Sequence, residues 1–295
     1  MTRLLGSLLM TALSAGGFLA QAAGDARAAD LLKEARAALG GDAAVNRVQA
    51  LLATGHIARA AGATRLEGDL TLQFALPDRL LRTEALSPDG GLTLITEQGV
   101  RGNVLLRGAR TFNAPPGAVI RTPPPPARGS EAEAEALRAA RADLARLSLG
   151  LLLKAPGTQP LDFAYGGTAE SPDGTADVLD VKGRDGSTFA AKLLLDRATH
   201  RPLMLTYRGV APRMVVQTRR VERGTPPPDA SQVPSARPSE AVDIEVFYDD
   251  YRTVGGLMLP HHITRSVGGD VQEEWTFSSW QVNPTFKPDA FDVKP

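Results

Sequence analysis

The 295-residue sequence contains no cysteine. Disulfides, thiol catalysis, cysteine-ligated metals and a lipid anchor on an N-terminal cysteine are thereby excluded. Neither sign of charge is in excess: 33 Lys and Arg balance 33 Asp and Glu. Nothing electrostatic therefore favours nucleic acid as a partner. Aromatic residues make up only 5%, which leaves few stacking platforms for bases or sugars. Beyond the N-terminal segment described next, no stretch approaches the ~20 apolar residues needed to span a bilayer. There is no GxSxG nucleophile elbow, no Walker loop and no HExxH. The residues thus give no positive sign of an enzyme, a metal or a cofactor.

What is present begins with an export signature. Arg3 precedes an apolar run from Leu4 to about Leu19, and small residues follow in "AQA" ending at Ala22 and "ARA" ending at Ala28. That is the layout of a cleaved secretory signal peptide over residues 1–22, with an alternative cut after 28. The remainder, 30–295, reads as one domain. It is 43% apolar and 22% charged, as in an ordinary globular protein. An exported chain without cysteine must hold its fold by core burial alone.

The periodicity is mostly two. In "TRLEGDLTLQFALPDRLLRTE", Leu70, Leu72, Phe74 and Leu76 alternate with Asp69, Thr71 and Gln73, the pattern of a half-buried strand, and Pro77-Asp78 separates it from the next. "LTLITEQG", "NVLLRG" and "ARTFN" read as further short strands. So do "LDFAYGG", "ADVLDVKG", "TFAAKLLLD", "RPLMLTYRG" and "RMVVQTRRVE". "VDIEVFYDDYRTV", "LMLPHHITRSV" and "DVQEEWTFSSWQVNP" form a closing meander joined by Gly255-Gly256 and Gly268-Gly269, a strong hairpin signal. Helical spacing occurs at 30–39, in a short turn after Asp42 as N-cap, and in one long helix at about 130–153 opened by a Ser130/Glu133 capping box. The proline-rich stretches 122–126 and 224–240 read as loops. The expected fold is mainly β: an open, strongly curved antiparallel barrel of about eleven strands, with helices on one face as a lid or plug.

These segments carry a resemblance. "EGDLTLQFALPDRLLRTE", "TEQGVRGN", "LLLDRATHRPLMLTYRG" and "YDDYRTVGGLMLPHHITRSVGGDVQEEWTFSSWQVNP" with the ending "FKPDAFDVKP" are similar to the LolA/LolB-like superfamily of periplasmic lipoprotein carriers and outer-membrane lipoprotein-sorting proteins. The resemblance implies an unclosed barrel with a helical lid, and an apolar cavity that shields acyl chains. It implies a lipid or an acylated protein as ligand, with an envelope or inner-membrane protein as possible partner. The family's carriers have an arginine immediately before the proline of the first motif; here that place is Leu76, with Arg79 and Arg82 after it. The departure points away from the standard lipoprotein relay, toward another lipid or apolar ligand or toward a sensor. The alternative reading is a non-enzymatic interaction module for envelope proteins.

Alternation and helical spacing nominate the inward, ligand-facing side chains: Leu70, Leu72, Phe74, Leu76, Leu144, Leu147, Leu151, Leu193, Leu195, Val246 and Trp275. A one-residue slip would invert any strand's set. His261 and His262 are adjacent, so on a strand they face opposite sides and cannot chelate one metal together. The same holds for Asp249-Asp250 and Glu273-Glu274, read as charges that protect sheet edges. Trp275 and Phe277 are placed on one face and Trp280 on the other.

Overall fold

The first strand of the chain pairs with the last. The computed structural model describes residues 15–62, 64–89, 92–113, 126–171, 174–184, 187–210 and 241–293. Helices α1 (Ala15–Ala38) and α2 (Asp42–Arg47) lead into strands β1 (Ala50–Ala61), β2 (Thr64–Ala75), β3 (Arg79–Asp89), β4 (Leu92–Arg101) and β5 (Val104–Phe112). Helix α3 (Glu131–Leu152) follows. The chain ends with β6 (Leu161–Ser171), β7 (Gly174–Gly183), β8 (Ala190–Asp196), β9 (Pro202–Val210), β10 (Ala241–Val254), β11 (Leu257–Val267) and β12 (Asp270–Val282).

All twelve strands belong to one antiparallel sheet ordered β5-β4-β3-β2-β1-β12-β11-β10-β9-β8-β7-β6. Two meanders, β1 to β5 and β6 to β12, are therefore sewn together along β1 and β12, from Leu51↔Val282 to Arg59↔Glu273. The sheet curls without closing, since β5 and β6 are its two ends. A sheet of this size must curl or split to bury one face. The architecture is the open barrel with helices read from the sequence, with twelve described strands instead of about eleven.

Three local expectations change. Strand β1 was not read from the sequence at all: "ALLATGHIARAA" is rich in alanine, which favours helix, and it lacks clean alternation. It is nonetheless the central strand, because β2 and β12 supply partners on both sides. "NVLLRG" and "ARTFN" form one strand, β5. Asp42 is the first residue of α2, and Gly41 holds the cap position without a side-chain bond. The segments 213–222 and 224–240, and most of 122–126, lie outside the described residues.

The helices fill the concave side. Ala28, Leu31, Leu32, Ala35 and Leu39 of α1 and its C-terminal turn are buried at helical spacing. Leu144, Ala145, Leu149, Leu151 and Leu152 of α3 join them in one cluster with the inner residues of the strands. At the start of α3, Ser130 Oγ accepts from Glu133 N at 3.1 Å, as the capping box requires. The Glu133 carboxylate accepts from Gly129 N at 2.6 Å, one residue before the cap. At its end, Leu153 turns left-handed with φ 52°. The Gly255-Gly256 and Gly268-Gly269 turns both have positive φ, as two-residue hairpins between right-twisted strands demand.

A small second cluster lies on the convex side. Leu81 and Leu106 are covered there by Phe291 from the C-terminal tail, with Phe286 edge-on to Phe291 at 5.0 Å.

Candidate functional site: the concave interior and its buried ion cluster

The eleven nominated side chains occupy one place. Leu70, Leu72, Phe74, Leu144, Leu151, Leu193, Leu195 and Trp275 are buried in the main cluster, and Leu76, Leu147 and Val246 pack against it half-buried. They come from β2, β8, β10, β12 and α3, so the fold gathers them between sheet and helix. In this state the space between them is occupied by the leucines of α1 and α3. A ligand would have to displace a helix to reach it. A separate hollow of about 210 Å³ lies on the opposite, convex face near the β1–β2 turn. It is lined by Ala58, Ala60, Arg65, Glu274 and their neighbours, and is spanned by the exposed Arg65–Glu274 ion pair. It touches none of the nominated residues.

Helix α3 bridges the two arms of the sheet, packing on β4 and β5 on one side and on β9 on the other. Its C-terminal end is pinned. Arg36 Nη2 donates to Leu153 O at 2.9 Å, and Lys154 Nζ donates to Val48 O at 3.0 Å and Asn46 O at 3.3 Å. Gly150 lets the helix lie directly on Tyr248; a Cβ there would fall 2.0 Å from the tyrosine oxygen. The N-terminal half is held more lightly, by Arg141 donating to Gly102 O and Asn103 Oδ1 in the β4–β5 turn.

Beneath α3 the concave face carries buried charge that the sequence reading missed. Register lines up Arg265 on β11, Glu273 on β12 and Arg59 on β1 as direct cross-strand partners. Glu84 and Arg82 come in from β3. Arg59 Nη2 donates to Glu84 Oε1 at 2.7 Å and to Glu273 Oε1 at 3.0 Å. Arg82 Nε lies 2.8 Å from Glu84 Oε1, and its Nη1 donates to Glu273 Oε2 at 3.3 Å. Trp275 Nε1 donates to Glu273 Oε2 at 3.1 Å. Arg265 Nη2 donates to the Tyr207 hydroxyl at 3.4 Å. From above, Arg146 of α3 lies over the Tyr207 ring at 3.7 Å and pairs with Asp143 at 2.9 Å.

Isolated buried charges are very costly, so these groups survive only as a mutually paired set. Burial pushes the Glu273 carboxyl up, but Arg82, Arg59, Arg265 and the Trp275 hydrogen bond outweigh it, and the group falls to about 2. Burial lowers Arg82 and Arg265, and their anionic neighbours more than restore them, so both stay firmly protonated.

Three sequence expectations are corrected at this point. Glu273 is not an edge charge; β12 is central and the side chain is buried. Trp280 is not opposite Trp275 and Phe277. A bulge at Ser278 breaks the alternation, so Trp280 comes back to the inner face, its centroid 4.7 Å from Phe277 and its Nε1 bonded to Pro260 O. Arg82, two strand positions beyond Leu80, is a component of the interior. The signal that marks it is its parity with Leu80 and Glu84 on β3.

The histidines are divided between faces. His261 is buried, with Nδ1 3.2 Å from Leu259 O. His262 is half-buried beside Asp249 and Thr276. Among the described residues no group of His, Asp and Glu is arranged to hold a metal, and no helix is long and apolar enough to cross a membrane.

No protein-family model matches the chain, and no curated protein matches it. Solved structures similar to it include a LolA superfamily protein from Nitrosomonas europaea, 12% identical, with a TM-score of 0.45 over 90% of this chain and 97% of that one. A DUF1329 family protein from Desulfovibrio piger is 10% identical, with a TM-score of 0.46 over 90% and 97%. A domain assigned to outer-membrane lipoprotein sorting, from Vibrio parahaemolyticus, is 11% identical, with a TM-score of 0.44 over 91% and 97%. At these identities and TM-scores the likeness assigns no residue a role.

Proposed function

We propose that the protein is an exported, non-enzymatic carrier that takes a lipid, a lipoprotein acyl chain or another apolar ligand between the concave sheet face and α3. The observation that carries this reading is the single apolar interior of an unclosed sheet, covered by a helix that bridges both arms. Binding is passive. Each methylene removed from water contributes about 0.8 kcal/mol, so one acyl chain supplies ample affinity without polar contacts. Release and uptake are movements of the more lightly held N-terminal half of α3 about its pinned C-terminal end, which uncover the apolar face beneath it. Residues 1–22 direct export, and 23–295 is the carrier.

A second reading is favoured by the filling of the interior with the protein's own leucines. In it the fold is an interaction module for envelope proteins and holds no ligand. Native mass spectrometry of the exported protein, followed by organic extraction, separates the two. A stoichiometric lipid or acylated species is expected. Uptake of a fluorescent fatty acid is expected to drop at least about tenfold in Phe74→Glu and Leu144→Glu variants whose near-UV circular dichroism is unchanged, since each places an unpaired charge among apolar groups. An empty protein that takes up no probe would leave the interaction module.

A further inference from the structure

The interior charge does not balance. Among the described residues, Arg59, Arg82 and Arg265 supply three guanidinium groups against the two carboxylates of Glu84 and Glu273, while Arg146 of α3 pairs with Asp143, whose side chain is 56% exposed. One positive charge remains beneath α3. The imbalance is not spread evenly. Glu84 and Glu273 are sealed, with side chains 1% and 2% exposed, and Arg59 is 8% exposed. Arg82 and Arg265 keep 18% and 16% of their side-chain surface. These two are the less sealed groups of the sheet cluster, close enough for Asp143 of α3 to act on both.

The donors are also under-used. A guanidinium has five N–H groups. Arg265 reaches Glu273 only at 3.5 Å and Tyr207 only at 3.4 Å. Among the described residues, the buried Nε atoms of Arg59 and Arg146 have no hydrogen-bond partner. Buried donors normally find acceptors, so unsatisfied ones beside a surplus of positive charge are suited to an acceptor that arrives from outside. Apolar surface runs straight up to them: Arg82 lies over the Trp275 ring at 5.4 Å, and Trp275 packs edge-on against Phe277 at 6.3 Å.

We infer that Arg82 and Arg265, with Arg146 closing from α3, form the head-group subsite for a singly charged anionic amphiphile. The ligand is an oxyacid, carboxylate or phosphate ester, on an acyl tail that lies along the apolar concave face. This inference rests on the carrier reading and narrows its substrate class. Neutral apolar molecules that displace α3 would lie on the same apolar face but leave the guanidinium donors unmatched. Bidentate oxyanion recognition is what arginine geometry supplies best. Asp143 then has a second role: it pairs with Arg146 while the subsite is empty and yields to the incoming anion.

The test uses the purified exported chain freed of bound lipid, with Trp275 emission as reporter of the subsite and displacement of a fluorescent acyl probe as reporter of the groove. Dodecanoate is expected to bind at least about tenfold more tightly than dodecanol, the scale of one charge-assisted hydrogen-bonded contact, and to lose that margin in Arg265→Gln while dodecanol affinity stays put. Arg265→Lys should keep part of it. Dodecyl phosphate against dodecanoate identifies the preferred oxyacid. Inorganic phosphate, which has the charge without the tail, should not displace dodecanoate at matched concentration; if it does, the amphiphile assignment is wrong. Equal affinity for dodecanoate and dodecanol in the wild-type protein would overturn the subsite and leave the carrier intact. Failure of both to bind would remove the carrier reading itself. The wild-type comparison stands even where Arg265→Gln does not fold.

Discussion

Glu273 is the residue on which the interior charge depends, and its environment makes a prediction about acid. Its carboxyl falls from an ordinary value of 4.5 to about 2 in the folded chain. A depressed folded value means that the unfolded chain binds the proton more readily. The stabilisation is therefore fully present above pH ~4.5 and is lost as pH falls toward 2. Urea midpoints measured across that window should decline as the pH is lowered, and Glu273→Gln should flatten the decline. At neutral pH the same variant should lose about 3–5 kcal/mol, because it leaves Arg59, Arg82 and Arg265 facing one carboxylate instead of two. An unchanged midpoint at pH 7 would mean that Glu273 is not paired in solution. Residues like this are poorly legible in a sequence. Alternation alone was enough to put Leu70, Leu72 and Phe74 into the interior, because their parity is uninterrupted along β2. It failed at Trp280, because one bulged residue at Ser278 reverses the parity, and nothing in "WTFSSW" marks the bulge. It failed at Glu273 because two of the arginines that neutralise it, Arg82 and Arg59, come from strands 191 and 214 residues away in sequence.

Elements with strong periodicity or punctuation were legible, and those without were not. The capped helix α3 and the Gly-Gly hairpins of β10 to β12 match their sequence signals. Strand β1 has an alanine-rich face and is made a strand by its two neighbours, a tertiary effect that overrides local preference. Under the proposed carrier reading, the unequal anchoring of the two ends of α3 suggests a gating mechanism. Because the chain lacks cysteine, that mechanism is open to a clean test. Cysteines placed at Asn103 and Arg141, which touch across the free end of the helix, can be joined by a cleavable bis-maleimide linker. Cross-linking should slow uptake of the fluorescent acyl probe at least about tenfold, equivalent to raising the opening barrier by some 1.4 kcal/mol. Cleaving the linker should restore the original rate. Uptake at an unchanged rate with the linker intact would place the opening elsewhere in the fold.

At the scale of the whole molecule, the pairing of β1 with β12 means that neither meander can complete its core before both ends of the chain arrive. Helix α1 adds a further constraint at the N-terminal side. Ala28 is 1% exposed in the main cluster, and Arg27 lies 3.8 Å from Asp177 on β7, a buried acid also approached by Arg197 at 3.4 Å and by the Tyr165 hydroxyl at 3.3 Å. The two signal-peptidase cuts that the sequence permits therefore have different structural consequences. A cut after Ala22 keeps both contacts. A cut after Ala28 deletes the buried methyl and removes one of the cations beside Asp177. Arg27 is itself half-exposed, so its pair contributes modestly, and most of the loss comes from the vacated packing position. Under the proposed export, a cut after Ala22 leaves a chain that begins at Ala23, which intact mass will report. A chain that starts at Ala29 should be less stable by about 1–2 kcal/mol in urea. Equal midpoints for the two chains would mean that the first turns of α1 lie outside the cooperative fold. The concave face would then be covered by α3 and the remaining leucines of α1 alone.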